Sequence, residues 1–207
     1  AAARLRRLDE KSQIIVMERG DYVSFANCGL PYYIGGEITQ ESHLTLQTPQ
    51  SFKARFNIDV RVGNEVLKVD PETKSVTVQD HKTGETYTES YDNLILSPGA
   101  EPIKPSIEGV DSSRVFTLRN IPDTMKIKSY LDQNNPRSAV VVGGGYIGVE
   151  MAENLKNAGL SVTIVELADH LIAPLDFEMA ADVHRYVKGR GIGLVLDNGV
   201  KAIRETA

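Results

Sequence analysis

Gly143, Gly145 and Gly148 stand in the spacing G-x-G-x-x-G, after the apolar run Ala139 to Val142 and ahead of a helical pattern. Glu166 follows 23 positions after the first glycine. In such a turn the first glycine makes the tight bend, the second lets backbone approach a pyrophosphate, and the third lets helix and strand pack closely. The helix start then presents unpaired N–H groups and a positive dipole end to the phosphates. Gly144, Tyr146 and Ile147 fill the variable positions of this turn. A carboxylate at Glu166 would accept the adenosine ribose hydroxyls and repel a 2′-phosphate, so NADH is expected over NADPH. The competing reading is a glycine turn used only for packing.

Glu18 ends an earlier apolar strand as Glu166 ends the later one, and by the same argument would hold a second nucleotide's ribose; a solvated strand edge is the plainer explanation. Cys28, the one cysteine, lies in SFANCGLPYYIGG just ahead of an expected helix start, where the dipole and free N–H groups favour the nucleophilic thiolate. A buried structural cysteine is the alternative. With no second thiol, any redox cycle uses an external sulfur or an oxidised form of this one. Arg4, Arg6 and Arg7 form the dense basic cluster, and Arg4 and Arg7 share a helical face that could grip a phosphorylated ligand or simply be solvated. His43, His81, His170 and His184 have no metal-ligand spacing, so no metal site is expected.

These residues need elements to position them. Residues 1–9 are expected as a helix with Leu5 and Leu8 on one face, 13–18 as a strand, and 49–56 as a helix. From 58 to 97, strand signals alternate with turns, predicting a small antiparallel meander that feeds a buried strand at NLILS. Pro98, Gly99, Pro102 and Pro105 mark a crossing between domains. Beyond it, a helix over 121–135, a buried strand SAVVV, the glycine turn and its helix, the strand SVTIVE, a helix from Asp176 and a strand IGLVLD give repeated helix and parallel strand.

The chain has 207 residues, 41% hydrophobic and 25% charged, with a formal charge of −5, the composition of a globular protein of one or two domains. No apolar run is long enough to span a bilayer, and the acidic balance argues against nucleic acid or anionic lipid as partner. One cysteine and no secretory pattern point to the cytoplasm. Both ends look cut, AAARLRR lacking a cap and KAIRETA stopping where a strand should start, so a fragment is expected.

Taken together, SFANCGLPY, YDNLILSPGA (91–100), TLRN (117–120) and VVGGGYIGVEMAENL (141–155) resemble the flavoprotein pyridine nucleotide-disulfide oxidoreductases. The resemblance is to their single-cysteine branch of coenzyme A-disulfide reductases, NADH oxidases, NADH peroxidases and persulfide reductases. It implies an α/β fold of two Rossmann-like, glutathione reductase-like three-layer units: an FAD-binding domain over 1–115, truncated and carrying the meander, and an NAD-binding domain over 116–207. It makes Cys28 the redox nucleophile, puts Glu18 and Arg19 at the FAD ribose, Ser97, Pro98 and Gly99 at the FAD-side crossing, and Tyr146 beside the flavin. Arg4, Arg7, Ser24 and Asn27 fall where coenzyme A-disulfide reductases contact their substrate. Phe56 stands where some relatives have a coenzyme A-binding lysine. The implied activity is electron transfer from NADH through FAD to Cys28, reducing coenzyme A disulfide or persulfide, in a homodimer of the full-length protein. The alternatives are an NADH oxidase or peroxidase working through a cysteine sulfenic acid, and a nucleotide-binding electron-transfer or regulatory module with a structural cysteine.

Overall fold

The computed structural model describes residues 1–205 and resolves into two compact units. One comprises Ala1–Ala26 and Thr45–Ala100, and the other Asn27–Leu44 and the chain from Glu101 onward. This division differs from a single break near 115, because the segment around Cys28 packs with the second half of the chain.

In the first unit, helix α1 (Ala2–Leu8) stops at Asp9, whose carboxylate accepts the Lys11 N–H at 2.8 Å and the Ser12 hydroxyl and N–H, turning the chain toward strand β1 (Ile15–Glu18). The expected apolar face of α1 is not buried: Leu5 and Leu8 are exposed. Arg6 anchors the helix instead. Its guanidinium donates to the carbonyls of Phe56, Asn57, Asp9 and Glu10, tying together the C-terminal ends of α1 and α3 (Pro49–Phe56), where unpaired carbonyls concentrate negative charge. Helix α3 starts at a reciprocal Thr48–Ser51 capping box with Pro49 in its first turn, and ends at Asn57 in the left-handed region. Strand β4 (Asp59–Val62) pairs in parallel with β1, Ile15 opposite Asp59, over a small core of Ile14, Ile58 and Val60 capped by Phe52 and Phe56. A two-residue strand β2 (Ser24–Phe25) pairs with β3 (Thr45–Gln47). The expected meander is present as β5 (Asn64–Asp70), β6 (Ser75–Asp80) and β7 (Thr86–Ser90), with Val76 and Val78 buried.

The strand expected at NLILS does not form. Residues 93–97 are irregular, and Ile95 and Leu96 are 61% and 70% exposed. An apolar run becomes a strand only where a neighbour offers its backbone groups a hydrogen-bonding edge, and among the described residues none pairs with this one.

The second unit is built on a parallel sheet of order β10-β9-β8, formed by β8 (Ser138–Val142), β9 (Ser161–Val165) and β10 (Gly193–Val195). Helices α5 (Tyr146–Asn157) and α6 (Phe177–Gly189) make the crossovers. Helix α4 (Ile121–Asn134) begins at Asn120, whose side chain accepts the Asp123 N–H at 3.0 Å. The core gathers Ile127, Met151, Ala152, Leu155, Val162, Ile164, Leu171 and Val187, and Ile34 of the short helix α2 (Leu30–Gly35) joins it. That contact draws Asn27–Leu44 into this unit. Strand β8 is not buried on both sides as expected: Ala139 and Val141 face the core, whereas Val140 and Val142 stay more than half exposed. Parallel strands are buried on both faces only where helices cover both, and here one face is open. Among the described residues no helix is long and apolar enough to cross a membrane.

Candidate functional site

Strand β8 delivers the chain into the glycine turn, where Gly143 adopts φ +103° and its N–H reaches the Val165 carbonyl at 2.9 Å. An L side chain rarely takes that backbone conformation, so the first glycine is required by the bend. A Cβ on Gly148 would collide with the Gly143 carbonyl, so the third is required by the close approach of α5 to the turn. Around Gly145 there is open space, and it caps α5 without a side-chain hydrogen bond. The first and third glycines thus meet the bend and the close packing that their spacing predicts, and the second leaves open space at the helix start. Tyr146 and Ile147, the first residues of α5, are exposed.

Glu166 follows β9 and folds back over this turn, its carboxylate accepting the Gly144 N–H at 2.5 Å and the Ala168 N–H at 2.8 Å. Partial burial pushes its pKa up, but the N–H donors of Ala168, Gly144 and Leu167, helped by His170, outweigh this and hold the carboxyl below the usual glutamate range. A carboxylate offers about four lone-pair positions, so one holding three N–H groups can still accept from a ribose. Past Glu166 the loop continues across the turn. The Leu171 side chain is fully buried against Gly144, and Ile172 donates its N–H to the Gly144 carbonyl at 2.8 Å. Ile172 does so at φ +54°, a left-handed conformation that costs a β-branched residue on the order of 1–3 kcal/mol. A second support comes from α6: His184 Nε2 accepts the Leu171 N–H at 3.0 Å. Free helix-start N–H groups, an open second glycine and an ionised acid beside them fit the pyrophosphate and adenosine ribose of a pyridine dinucleotide.

Cys28 is exposed in the short 3-10 turn Asn27–Gly29, which runs into α2 through Gly29 at the N-cap and Pro31 in the first helical turn. Buried Leu30, Pro31 and Ile34 fix α2, so an accessible sulfur sits on a rigid support. The contact with α5 is tight, since a Cβ on Gly35 would collide with the side chain of Asn154. Asn154 is itself 1% exposed, donates Nδ2 to the Glu150 carbonyl at 2.8 Å, and leaves Oδ1 buried without a hydrogen bond. Beside the thiol, Asn27 Oδ1 accepts from Arg119 Nη1 at 3.3 Å, while the Arg119 backbone N–H bonds Asp123 at 3.0 Å. Arg119 is a site neighbour not assigned a role from sequence; an arginine directly before the Asn120 cap was its one local signal.

In the first unit, Glu18 closes β1 half-buried and accepts the Gly20 N–H at 2.7 Å, with Arg19 exposed after it. Ser24 lies in β2 opposite Gln47. Arg4 and Arg7 are exposed on α1, so the basic cluster divides into two solvent-facing side chains and the anchored Arg6. Ser97, Pro98 and Gly99 form exposed irregular chain, Gly99 at φ +75°.

Comparison with known proteins agrees with this architecture. Residues 1–207 match the family model described as pyridine nucleotide-disulphide oxidoreductase. A coenzyme A disulfide reductase from Staphylococcus haemolyticus is 37% identical over 204 residues, 99% of this chain and 46% of the relative. The crystal structure of the reduced Bacillus anthracis CoADR-RHD superposes with TM-score 0.96 at 55% identity, covering 99% of this chain and 37% of that one. An NAD-dependent persulfide reductase from A. fulgidus gives TM-score 0.93 at 36% identity, over 99% of this chain and 38% of the other. The chain thus spans less than half the length of these relatives. By the match over its whole length and by its glycine turn, the chain belongs to the pyridine nucleotide-disulphide oxidoreductase family.

Proposed function

We propose that this chain carries the cysteine and the dinucleotide turn of an FAD-dependent NADH oxidoreductase that reduces coenzyme A disulfide or coenzyme A persulfide. The observation that carries the reading is the exposed Cys28 on its rigid turn, in a chain 37% identical to a coenzyme A disulfide reductase across 204 residues. Gly143–Gly148 and the start of α5 bind the pyrophosphate of NADH, and Glu166 holds the adenosine ribose and disfavours a 2′-phosphate. Glu18 with Arg19, and Ser97–Gly99, hold FAD: a carboxylate that has accepted one N–H, as Glu18 has from Gly20, keeps acceptor positions for a ribose. Bound FAD supplies the two-electron relay from nicotinamide to sulfur.

The protein's own chemistry is centred on Cys28. Its thiolate attacks one sulfur of the substrate disulfide; the S–S bond breaks and the other half leaves as a thiolate, which takes a proton from solvent. The mixed disulfide on Cys28 is cleaved when two electrons arrive, which restores the Cys28 thiolate and releases the second half as a thiolate that takes a proton from solvent. Arg119 restrains the Asn27 side chain next to the sulfur. Ser24, Asn27, Arg4 and Arg7 make up the substrate contacts, the arginines suited to phosphate groups.

The test is Cys28→Ser in the full-length protein. NADH should still bleach the flavin, and turnover of coenzyme A disulfide or persulfide should vanish. Unchanged turnover would remove Cys28 from the mechanism. NADH consumption that is absent with coenzyme A disulfide under anaerobic conditions and appears when oxygen or peroxide is supplied instead would assign the thiol to an oxidase or peroxidase cycle.

A further inference from the structure

The loop after Glu166 is stapled at three points. Glu166 takes the Gly144 N–H, Ile172 gives its N–H to the Gly144 carbonyl, and between them the Leu171 N–H points into the imidazole of His184 on α6. An imidazole nitrogen accepts an N–H only while it carries a lone pair, so this bond fixes His184 as the neutral tautomer with its proton on Nδ1. If Nε2 is protonated, two N–H groups face each other and the bond becomes a repulsion. The bond also has strain to oppose: Ile172, the next residue, is held at φ +54°. A segment held in an unfavourable conformation by a few contacts relaxes when one is lost.

We propose that neutral His184 is a positioning residue that holds the Asp169–Ile172 loop across the glycine turn, and that its protonation releases the loop and weakens pyridine nucleotide binding.

The surroundings favour that neutral form near pH 7. Burial lowers the His184 pKa, with Lys188 one turn further along α6 and His170 from the loop acting in the same direction and Asp169 in the opposite one. His170 is paired with Asp169 at 2.5 Å, which holds its pKa up, so a positive ring tends to stand near His184. The Phe177 ring meets both imidazoles edge-on, at 6.2 and 6.5 Å between centroids. Charge on His184 therefore meets the cations of Lys188 and His170 nearby and the Leu171 N–H in front of it. The nucleotide half of this inference rests on the proposed function; the lock itself does not.

Two measurements on the full chain separate them. Without nucleotide at pH 7.5, hydrogen exchange at the Leu171 and Ile172 amides should be about tenfold faster in His184→Leu than in the wild type, the scale of one lost hydrogen bond. In His184→Gln, whose amide oxygen can accept the same N–H at any pH, it should stay at the wild-type rate. Calorimetry with NAD+ at pH 7.5 and 5.0 should then show wild-type affinity falling about tenfold at the lower pH. His184→Gln should hold its affinity, and His184→Leu should be weak at both. Equal Leu171 exchange in wild type and His184→Leu overturns the lock. A flat wild-type affinity profile, or a fall retained in His184→Gln, overturns its role in binding. Wild-type protein that fails to bind NAD+ at pH 7.5 instead defeats the proposed function, and the exchange rates still decide the lock.

Discussion

Replacing Gly35 by alanine sets two magnitudes against each other. In an ordinary helix, Gly→Ala is favourable by about 1 kcal/mol because the glycine loses more backbone freedom on folding. At Gly35 the new Cβ would fall 2.9 Å from Asn154 Cβ and 3.0 Å from its Cγ, with Oδ1 nearer still. Asn154 cannot swing aside, being 1% exposed and tied to the Glu150 carbonyl one turn back. Overpacking of a close contact costs about 1–3 kcal/mol, so the collision should exceed the propensity gain and leave the variant about 1 kcal/mol less stable. For a protein of this size that is a fall in Tm of about 2–4 °C, readable by calorimetry beside a urea titration. The double variant Gly35→Ala with Asn154→Ala removes the obstacle. It should be more stable than the sum of its single changes by about 1 kcal/mol or more, the coupling expected of residues in contact. Because α2 carries the thiol turn, Gly35→Ala should also change the rate at which Cys28 reacts with a thiol reagent. A stabilised Gly35→Ala with additive behaviour would refute the claim that the close contact of Gly35 with the Asn154 side chain sets the support of Cys28.

Two further outcomes follow from other contacts. Arg6→Ala should cost about 1.5–3 kcal/mol in chemical denaturation, because one cation serves four carbonyls, whereas Arg4→Ala and Arg7→Ala should stay within about 0.5 kcal/mol. Glu166→Gln should narrow the ratio of NADH to NADPH affinity; and because the folded carboxyl sits below its ordinary value of 4.5, it gives stability present above that pH and lost as pH falls through the folded pKa, an acid limb that the variant's unfolding curve should lack.

How much of this was legible beforehand depended on how local each determinant is. The glycine turn was, because bend and helix packing are demands on a few consecutive residues, and Gly143 and Gly148 meet them separately while Gly145 leaves the helix start open. So were α3 and α4, whose caps at Thr48 and Asn120 lie next to the helices they start. Which arginine of the basic cluster is anchored was not, since Arg6 is chosen by carbonyls some fifty residues away. Leu94–Leu96 had the composition of a strand, but composition does not provide a neighbour to pair with. The Arg119–Asn27 and His184–Leu171 bonds join side chains and backbone brought together only by the finished sheet.

The excursion of Asn27–Leu44 out of the first unit bears on how the protein is made. A ribosome releases Leu30 and Ile34 more than a hundred positions ahead of Met151 and Leu155, with which Ile34 shares a core. At roughly 5–20 residues per second, the segment bearing Cys28 waits on the order of ten seconds for its packing partners. During that interval the thiol and its apolar flank stay without the core that later covers Ile34, and neither unit can be lifted out of the gene as one uninterrupted stretch.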